Sequence, residues 1–394
     1  MTGKVKKTII SVSESAKNSG RRVHGSIFSI LPKDTHGLRA SMPKSGLMES
    51  FCENHVAQLR ERGFTRGLAK TIDENKNMCP LRIWIVDNST SMKRIDGHTF
   101  VENGESKNLL LKPCSRWEEL QDTLEYHARM AALLQAPTVF RLINKPRGRV
   151  GPQIFGVADK FETLTESDLK LALNTIRNAS PSGVTPLCRY MYDIKDELAK
   201  IAPDLQAKGQ RISIIIATDG VPTDEKYFGE FTSALKSLQK LPVPVMLTIR
   251  LCTDDKITVD YYNKLNSQLE LYVDVLDNYI REAEKVHRYN KWVNYTLPLH
   301  RCREMGLCDT SLNLINERRL TRKELYNFCK ILFGAENFTE ASDPNYDAKA
   351  FLSVIKQMVK EEDKSWNPAK KKVTEIVDEE RLVKIYRKSP CTIS

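Results

Sequence analysis

This 394-residue chain lacks several features that assign a protein to a class at once. Its nine cysteines are an odd number and include no C-x-x-C pair. We therefore expect reduced thiols rather than a disulfide scaffold or a zinc ribbon. No apolar run approaches the roughly 20 residues that span a bilayer. The N-terminal segment resembles no secretory signal and has no glycine at position 2 for myristoylation. These absences predict an intracellular, cytoplasmic protein.

The signatures of common catalytic classes are also missing. The sequence contains no G-x-S-x-G elbow, no Walker loop and no G-x-G-x-x-G. His127 and His287 lie within helical patterns, and we expect surface or half-buried residues there rather than catalytic bases. Cys302 and Cys308 are spaced oddly for zinc, so we expect core thiols. No catalytic residue is predicted.

Positive charge is concentrated at the start of the chain. The net charge is +11, and residues 1–50 hold nine Lys and Arg against three Asp and Glu. This composition predicts a disordered basic tail. Such a tail can contact an anionic membrane or nucleic acid. Because no aromatic stacking pattern accompanies the charges, we expect no nucleic-acid partner.

Three apolar runs predict buried strands: "LRIWIV" (81–86), "ISIIIA" (212–217) and "VPVMLTIRL" (243–251). They do not alternate with polar residues, as is typical of parallel strands covered on both faces. Helices are predicted between them, one opening with a capping box at Ser115 and Glu118 and one opening at Pro186. The segment 98–113 predicts a hairpin that turns near Asn103-Gly104 and gives the sheet an antiparallel edge. The predicted fold class is α/β, a doubly wound, Rossmann-like, mostly parallel sheet.

The same patterns predict five regions along the chain. A disordered basic tail (1–50) is followed by a helical lead-in (51–77) and the sheet domain (78–278). A helical extension (279–337) comes next. The chain then ends in a charged tail (338–394) with one helix.

Oxygen-bearing side chains follow two of the predicted strands. Asp87, Ser89 and Ser91 come after the first, in "IWIVDNSTSM", and Asp219 follows another, in "ISIIIATDG". Thr185 lies in the loop "SPSGVTPLCRY" that opens a helix. Because doubly wound sheets bind ligands beyond the carboxyl ends of their strands, we expect these oxygens to converge. An oxygen-only set suits Mg²⁺, with Mn²⁺ or Ca²⁺ as alternatives.

This set resembles the metal ion-dependent adhesion site (MIDAS) of von Willebrand factor type A (vWA) domains, over roughly residues 78–278. The family's order is present as D-x-S-x-S, then a loop threonine, then an aspartate in "TDG". In the family, the serines and the threonine or second aspartate coordinate the metal, and the first aspartate often acts through water. An acidic group of the bound partner completes the shell. The resemblance implies a non-enzymatic protein that binds an acidic residue of a partner protein. The chain departs from the family only in a long gap between Ser91 and Thr185.

Three other interpretations remain open. The hydroxyls could cap the following helices in a site that no longer binds metal. Asp87 could be the nucleophile of a metal-dependent phosphohydrolase of the haloacid dehalogenase type, although that chemistry needs a second aspartate where Ser89 stands. Finally, the chain could be an accessory vWA subunit of an ATPase complex.

The C-terminal sequence "CTIS" fits the C-a-a-X pattern, which predicts farnesylation of Cys391. Lys384, Arg387 and Lys388 precede it. One lipid chain binds a membrane only marginally, and nearby basic residues supply a second, electrostatic signal. We therefore expect anchoring to the cytoplasmic face of an anionic membrane.

Overall fold

The computed structural model describes residues 45–102, 109–159, 165–269, 272–307, 309–338, 343–345 and 347–387. The predicted tail up to residue 44, the hairpin turn, Cys308 and Cys391 lie outside these ranges. The prediction of a disordered tail is wrong for residues 45–50, because they begin helix α1 (Ser45–Glu61). Together with helix α2 (Arg66–Met78), α1 forms the predicted helical lead-in.

A six-stranded sheet lies at the centre of the molecule, in the order β5-β4-β1-β6-β7-β8. All neighbouring strands are parallel except the pair β4 and β5. The predicted α/β fold with a mostly parallel sheet and an antiparallel edge is therefore confirmed. Strands β1, β6 and β7 match the predicted runs, whereas the other three were not predicted. The strands are β1 (Leu81–Val86), β4 (Thr138–Leu142), β5 (Ile154–Val157), β6 (Ile212–Thr218), β7 (Val245–Leu251) and β8 (Tyr272–Leu276).

The antiparallel edge is not the predicted hairpin. The hairpin does form, from β2 (Gly97–Glu102) and β3 (Leu109–Cys114), but it is a separate two-stranded sheet. Its strand β2 lies against helix α3 (Arg116–Leu134), where the N–H of His98 donates to Glu119 and the hydroxyl of Thr99 donates to Asp122. The sheet instead gains its antiparallel edge from β5.

Helices cover both faces of the sheet, as a doubly wound fold requires. One face packs against α3 (Arg116–Leu134) and α4 (Thr165–Asn178) through Trp84 and Val86 of β1. The other face carries α5, α7 and α8, whose apolar side chains belong to one core with Leu81, Ile83 and Ile85 of β1. Both predicted helices are present, and the capping box of α3 forms as predicted. The helices of the second face are α5 (Leu187–Leu198), α7 (Glu230–Leu238) and α8 (Lys256–Gln268), and α6 (Ala202–Ala207) follows α5.

A second hydrophobic core lies beside the sheet and contains side chains from both the first two helices and the C-terminal helices. Side chains of α1 and α2 pack there with the C-terminal helices and with the last turns of α3. The described part of the predicted charged tail contains more than one helix and contributes Ile376, Val377 and Leu382 to this core, so its description as a tail with one helix is wrong. None of the helices within the described ranges is long and apolar enough to cross a membrane. The C-terminal elements are α9 (Tyr279–Tyr289), α10 (Leu297–Glu304), α11 (Thr310–Leu314), α12 (Arg322–Phe333), α13 (Ala348–Glu361), β9 (Ser365–Asn367), β10 (Lys372–Thr374) and α14 (Glu379–Arg387).

The prediction of a surface or half-buried position is wrong for His127, which is buried. Its ring lies 4.7 Å from that of Trp84, and its Nε2 is 3.2 Å from a carboxylate oxygen of Glu304. The reason is tertiary, because α10 covers this part of α3. His287 is half-buried and Cys302 is a buried free thiol, both as predicted.

Candidate metal centre

The predicted site lies at the ends of two adjacent central strands whose following helices cover opposite faces of the sheet. β1 and β6 are hydrogen-bonded neighbours, with Val86 paired to Ala217. The helix after β1 covers one face and the helix after β6 covers the other. Such a switch point opens a crevice at the carboxyl edge of the sheet. Asp87 and Asp219 are the first residues beyond the two strands, so the fold brings both carboxylates to this crevice.

Asp87 is fully buried and its two carboxylate oxygens accept hydrogen bonds from different directions. Oδ1 accepts from the backbone N–H of Ser89 at 2.8 Å. Oδ2 accepts from the hydroxyl of Thr218 at 2.7 Å and from that of Thr185 at 3.4 Å. Burial raises the pKa of Asp87 to about 6, the hydrogen bond from Thr218 opposes the rise, and the charge of Asp219 adds to it. Thr218, the last residue of β6, is a further member of the site that no motif in the sequence predicts.

The two serines connect to the second carboxylate. The Oγ of Ser89 lies 3.0 Å from that of Ser91, and Ser91 Oγ donates to Oδ1 of Asp219 at 2.8 Å. The five predicted residues therefore form one connected hydrogen-bond network. None of the three hydroxyls caps a helix: Ser89 precedes a short 3₁₀ turn without bonding to it, and Thr185 donates to Asp87. The structure thus gives these hydroxyls a different use from the capping alternative.

The loop that carries Thr185 is fixed against both neighbouring loops. Its Gly183 carbonyl accepts from the N–H of Thr90, and the Thr185 carbonyl accepts from the N–H of Thr223. Gly183 has φ +86°, and a Cβ there would lie 2.4 Å from Oδ1 of Asn144. Only glycine avoids both the backbone strain and the collision. The long gap between Ser91 and Thr185 therefore does not displace Thr185 from the network.

Arg116 also belongs to this site, although no motif in the sequence predicts it. Its Nη1 donates to Oδ2 of Asp219 at 2.8 Å, and its Nε and Nη2 donate to the two carboxylate oxygens of Asp96 at 2.7 and 2.6 Å. Burial acts to lower the pKa of Arg116, but the two carboxylates outweigh it and raise the pKa. The hydrogen bonds from Arg116 lower the pKa of Asp96. The sequence does indicate the position of Arg116. It directly follows the N-cap residue Ser115, so it is the first residue of α3, at the carboxyl edge of the sheet.

The donor set fits a small divalent cation. It comprises two carboxylates and three hydroxyls, which are the hard oxygen ligands that Mg²⁺ prefers. The carboxylate of Asp219 already lies beside a positive charge, because the guanidinium of Arg116 is 2.8 Å from it. Within the described ranges no group of three or more His, Cys, Asp and Glu side chains could hold a metal ion. A cation in this crevice would therefore depend on the hydroxyls of Ser89, Ser91 and Thr185.

Comparisons with known proteins add little to this geometry. No protein-family model matches the sequence, and no curated protein matches it. One solved structure with a likeness to the chain is the pilus adhesin SpaC from Lactobacillus rhamnosus GG, in its open conformation. The two are 15% identical, with a TM-score of 0.31, over 51% of this chain and 28% of the adhesin. A likeness at this level carries no inference about function, so the function has to be argued from the site itself.

Proposed function

We propose that the chain is an intracellular vWA protein that binds a carboxylate of a partner protein through Mg²⁺ held at a MIDAS. One observation carries the proposal: the five residues that match the motif form a single hydrogen-bond network between the ends of adjacent strands. Their sequence separation spans more than a hundred residues, so only the fold could bring them together. The donor chemistry then indicates a divalent cation.

Each residue has a distinct part in this proposal. The hydroxyls of Ser89 and Ser91 would be direct ligands of the cation, together with Thr185 or Asp219. Asp87 is buried behind the serine loop and holds it through the N–H of Ser89, so it fits a role through water. The bound cation would supply a coordination position for a carboxylate that the protein itself does not provide.

The burial of Asp87 weighs against the phosphohydrolase alternative. A nucleophilic carboxylate needs one oxygen free to attack phosphorus. Both oxygens of Asp87 instead accept hydrogen bonds inside the protein, and Ser89 stands where the general acid would be required. No observation favours a role as an ATPase subunit over a simple binding module.

Membrane attachment through Cys391 is a separate part of the proposal, supported by the C-a-a-X sequence and the basic residues before it. Farnesylation would place the protein on the cytoplasmic face of a membrane. Intact-mass analysis of the protein from its native source tests it, because a wholly unmodified population would contradict the proposal. Cys391→Ser should move a farnesylated protein to the soluble fraction and leave Mg²⁺ binding unchanged.

Calorimetric titration with Mg²⁺ tests the metal site directly. The full chain should bind one equivalent, and Ser89→Ala combined with Ser91→Ala should abolish binding, because two hydroxyl ligands are lost. Ser182→Ala is the matched control, since Ser182 lies in the Thr185 loop and contributes only its backbone N–H, to Asn88. Failure of the wild-type protein to bind Mg²⁺, Mn²⁺ or Ca²⁺ would refute the proposed function.

A further inference from the structure

The loops around the crevice carry exposed apolar side chains. Among the side chains that the structure describes, the five most exposed large hydrophobic residues all lie at the carboxyl edge of the sheet. Phe228 is fully exposed, and Ile95 and Ile257 are each 78% exposed. We call this set the apolar rim; it consists of Ile95, Val184, Tyr227, Phe228 and Ile257.

The apolar rim is carried by the loops that also build the metal site. Ile95 follows the D-x-S-x-S segment, and Val184 immediately precedes Thr185. Tyr227 and Phe228 lie between β6 and α7, and Ile257 is in the first turn of α8, after β7. Single exposed apolar residues are ordinary on protein surfaces, but a concentration around one crevice is typical of an interaction site.

Four basic side chains of this surface are exposed and have no ion-pair partner among the described residues. They are Lys93, Arg94, Lys226 and Lys256, which lie beside the rim residues. Acidic side chains of the same loops are held by hydrogen bonds within the protein, and two of them are also in ion pairs. Asp96 pairs with Arg116 and Asp254 with Arg281, while Asp224 and Asp255 accept backbone N–H bonds at the starts of α5 and α8.

The centre of the surface is recessed. Thr185 and Asp219 are only 4% exposed, and Asp87 is not exposed at all. A ligand must therefore extend a narrow group past the rim to reach the site. An Asp or Glu side chain on a protein segment has this shape, whereas a bilayer or a nucleic-acid backbone presents its anions across a broad surface. The recess thus favours a protein segment over either alternative.

We infer that the surface docks an acidic, apolar protein segment. One carboxylate of that segment reaches the cation, adjacent aromatic or aliphatic side chains cover the apolar rim, and further acidic residues meet Lys93, Arg94, Lys226 and Lys256. The inference rests on the proposed function and adds to it the chemistry of the partner. It also assigns the specificity to loop residues outside the metal ligands.

Selection from a displayed library of random peptides on the full Mg²⁺-loaded chain tests this inference. The enriched peptides should carry Asp or Glu next to an aromatic or branched aliphatic residue, and EDTA should release them. A synthetic copy of an enriched peptide then serves as the probe for binding measurements. Enrichment no greater than on Ser89→Ala/Ser91→Ala, or enriched peptides without an acidic residue, would overturn the inference.

Matched variants locate the contact. Phe228→Ser and Ile257→Gln should each weaken binding of the synthetic peptide about ten- to hundredfold, because each removes an apolar side chain that becomes buried. Leu171→Gln is the control, since Leu171 is 43% exposed on α4, away from the carboxyl edge. Lys256→Gln should weaken binding more at low salt than Lys236→Gln, which changes an exposed lysine at the far end of α7.

The outcomes separate this inference from the proposed function. Peptide binding that requires Mg²⁺ but ignores both rim variants would overturn the docking surface and leave the metal site standing. Peptide binding that depends on the rim but survives EDTA would retain the surface and refute the metal-bridged contact. If phosphatidylserine–phosphatidylcholine vesicles bind in a rim-dependent manner while no peptide is enriched, the surface is a membrane site and the inference is wrong.

Discussion

The charge of Arg116 decides how the candidate metal centre behaves without a cation. Two carboxylates close together in a buried crevice repel each other and raise the free energy of the folded state. Arg116 relieves this by pairing with Asp219 at 2.8 Å. The same guanidinium must also oppose an incoming divalent cation, because it occupies one oxygen of Asp219 and adds like charge.

Arg116→Gln should therefore tighten Mg²⁺ binding by about tenfold, or roughly 1.4 kcal/mol. The variant should also unfold at a lower temperature in EDTA and regain more stability when Mg²⁺ is added. Calorimetric titration and thermal unfolding measure the two effects. Arg94→Gln provides the comparison, since Arg94 is exposed and has no ion pair with a described residue. Weaker or unchanged Mg²⁺ binding in Arg116→Gln would show that the arginine supports the site instead.

His127 makes the stability of the protein depend on pH. Burial lowers its pKa to about 4, against the hydrogen bond and charge of Glu304, which raise it, while the charges of Arg301 and His300 lower it further. Because the folded state then binds the proton more weakly than the unfolded state, stability is fully present above about pH 6.5 and is lost as the pH falls towards 4.

The loss for this residue alone is at most about 3 kcal/mol, from a shift of roughly 2.5 in its pKa. Urea unfolding of wild type and His127→Gln between about pH 7 and 4.5 tests it. The glutamine amide can still donate to Glu304 but does not titrate, so wild type should lose more stability than the variant over this range. Parallel curves would mean that His127 does not couple folding to pH.

At the scale of single elements, α3 connects the face of the sheet that it covers to the candidate metal centre. Its capping box joins Ser115 and Glu118 through reciprocal hydrogen bonds, and the next residue after the cap is Arg116. The first turn of α3 therefore fixes the arginine that holds Asp219. This turn therefore combines a capping interaction that the sequence predicts with an ion pair at the candidate metal centre.

Ser115→Ala should lower the free energy of unfolding by about 1 kcal/mol, because one orphan N–H at the start of α3 loses its acceptor. Chemical denaturation measures the change. Ser233→Ala is the control: Ser233 is exposed in the first turn of α7 and donates to the carbonyl of Gly229 instead of accepting a capping bond. A neutral effect of Ser115→Ala would contradict a stabilising role for the capping box.

For the whole molecule, cation binding should stabilise the fold by mass action. A ligand that binds only the folded state adds about 2.7 kcal/mol at a hundredfold excess over its Kd. Wild type should therefore unfold at a higher temperature in Mg²⁺ than in EDTA, and Ser89→Ala combined with Ser91→Ala should remove the difference. Unfolding of the wild type that is indifferent to Mg²⁺ would indicate a site that does not bind it.

The sequence by itself determined the central strands, the helices with clear caps and the five oxygen-bearing residues that meet at the carboxyl edge of the sheet. Continuous apolar runs such as 81–86 predict strands covered on both faces, because no polar side is left for solvent. The motif spacing then placed Asp87, Ser89, Ser91, Thr185 and Asp219 at one edge, since parallel strands share their carboxyl ends. These features are local or follow from a single rule of topology.

The tertiary structure alone decided which elements pair and which charges meet. Strands β2 and β3 have good strand character, yet they form a sheet of their own beside α3, and β5 provides the antiparallel edge of the central sheet. His127 has the sequence context of a surface residue, yet α10 buries it. The ion pair of Arg116 with Asp219 joins residues that no motif links. Pairing, burial and ion pairs between distant segments depend on competition among all elements for the same space, which local sequence does not encode.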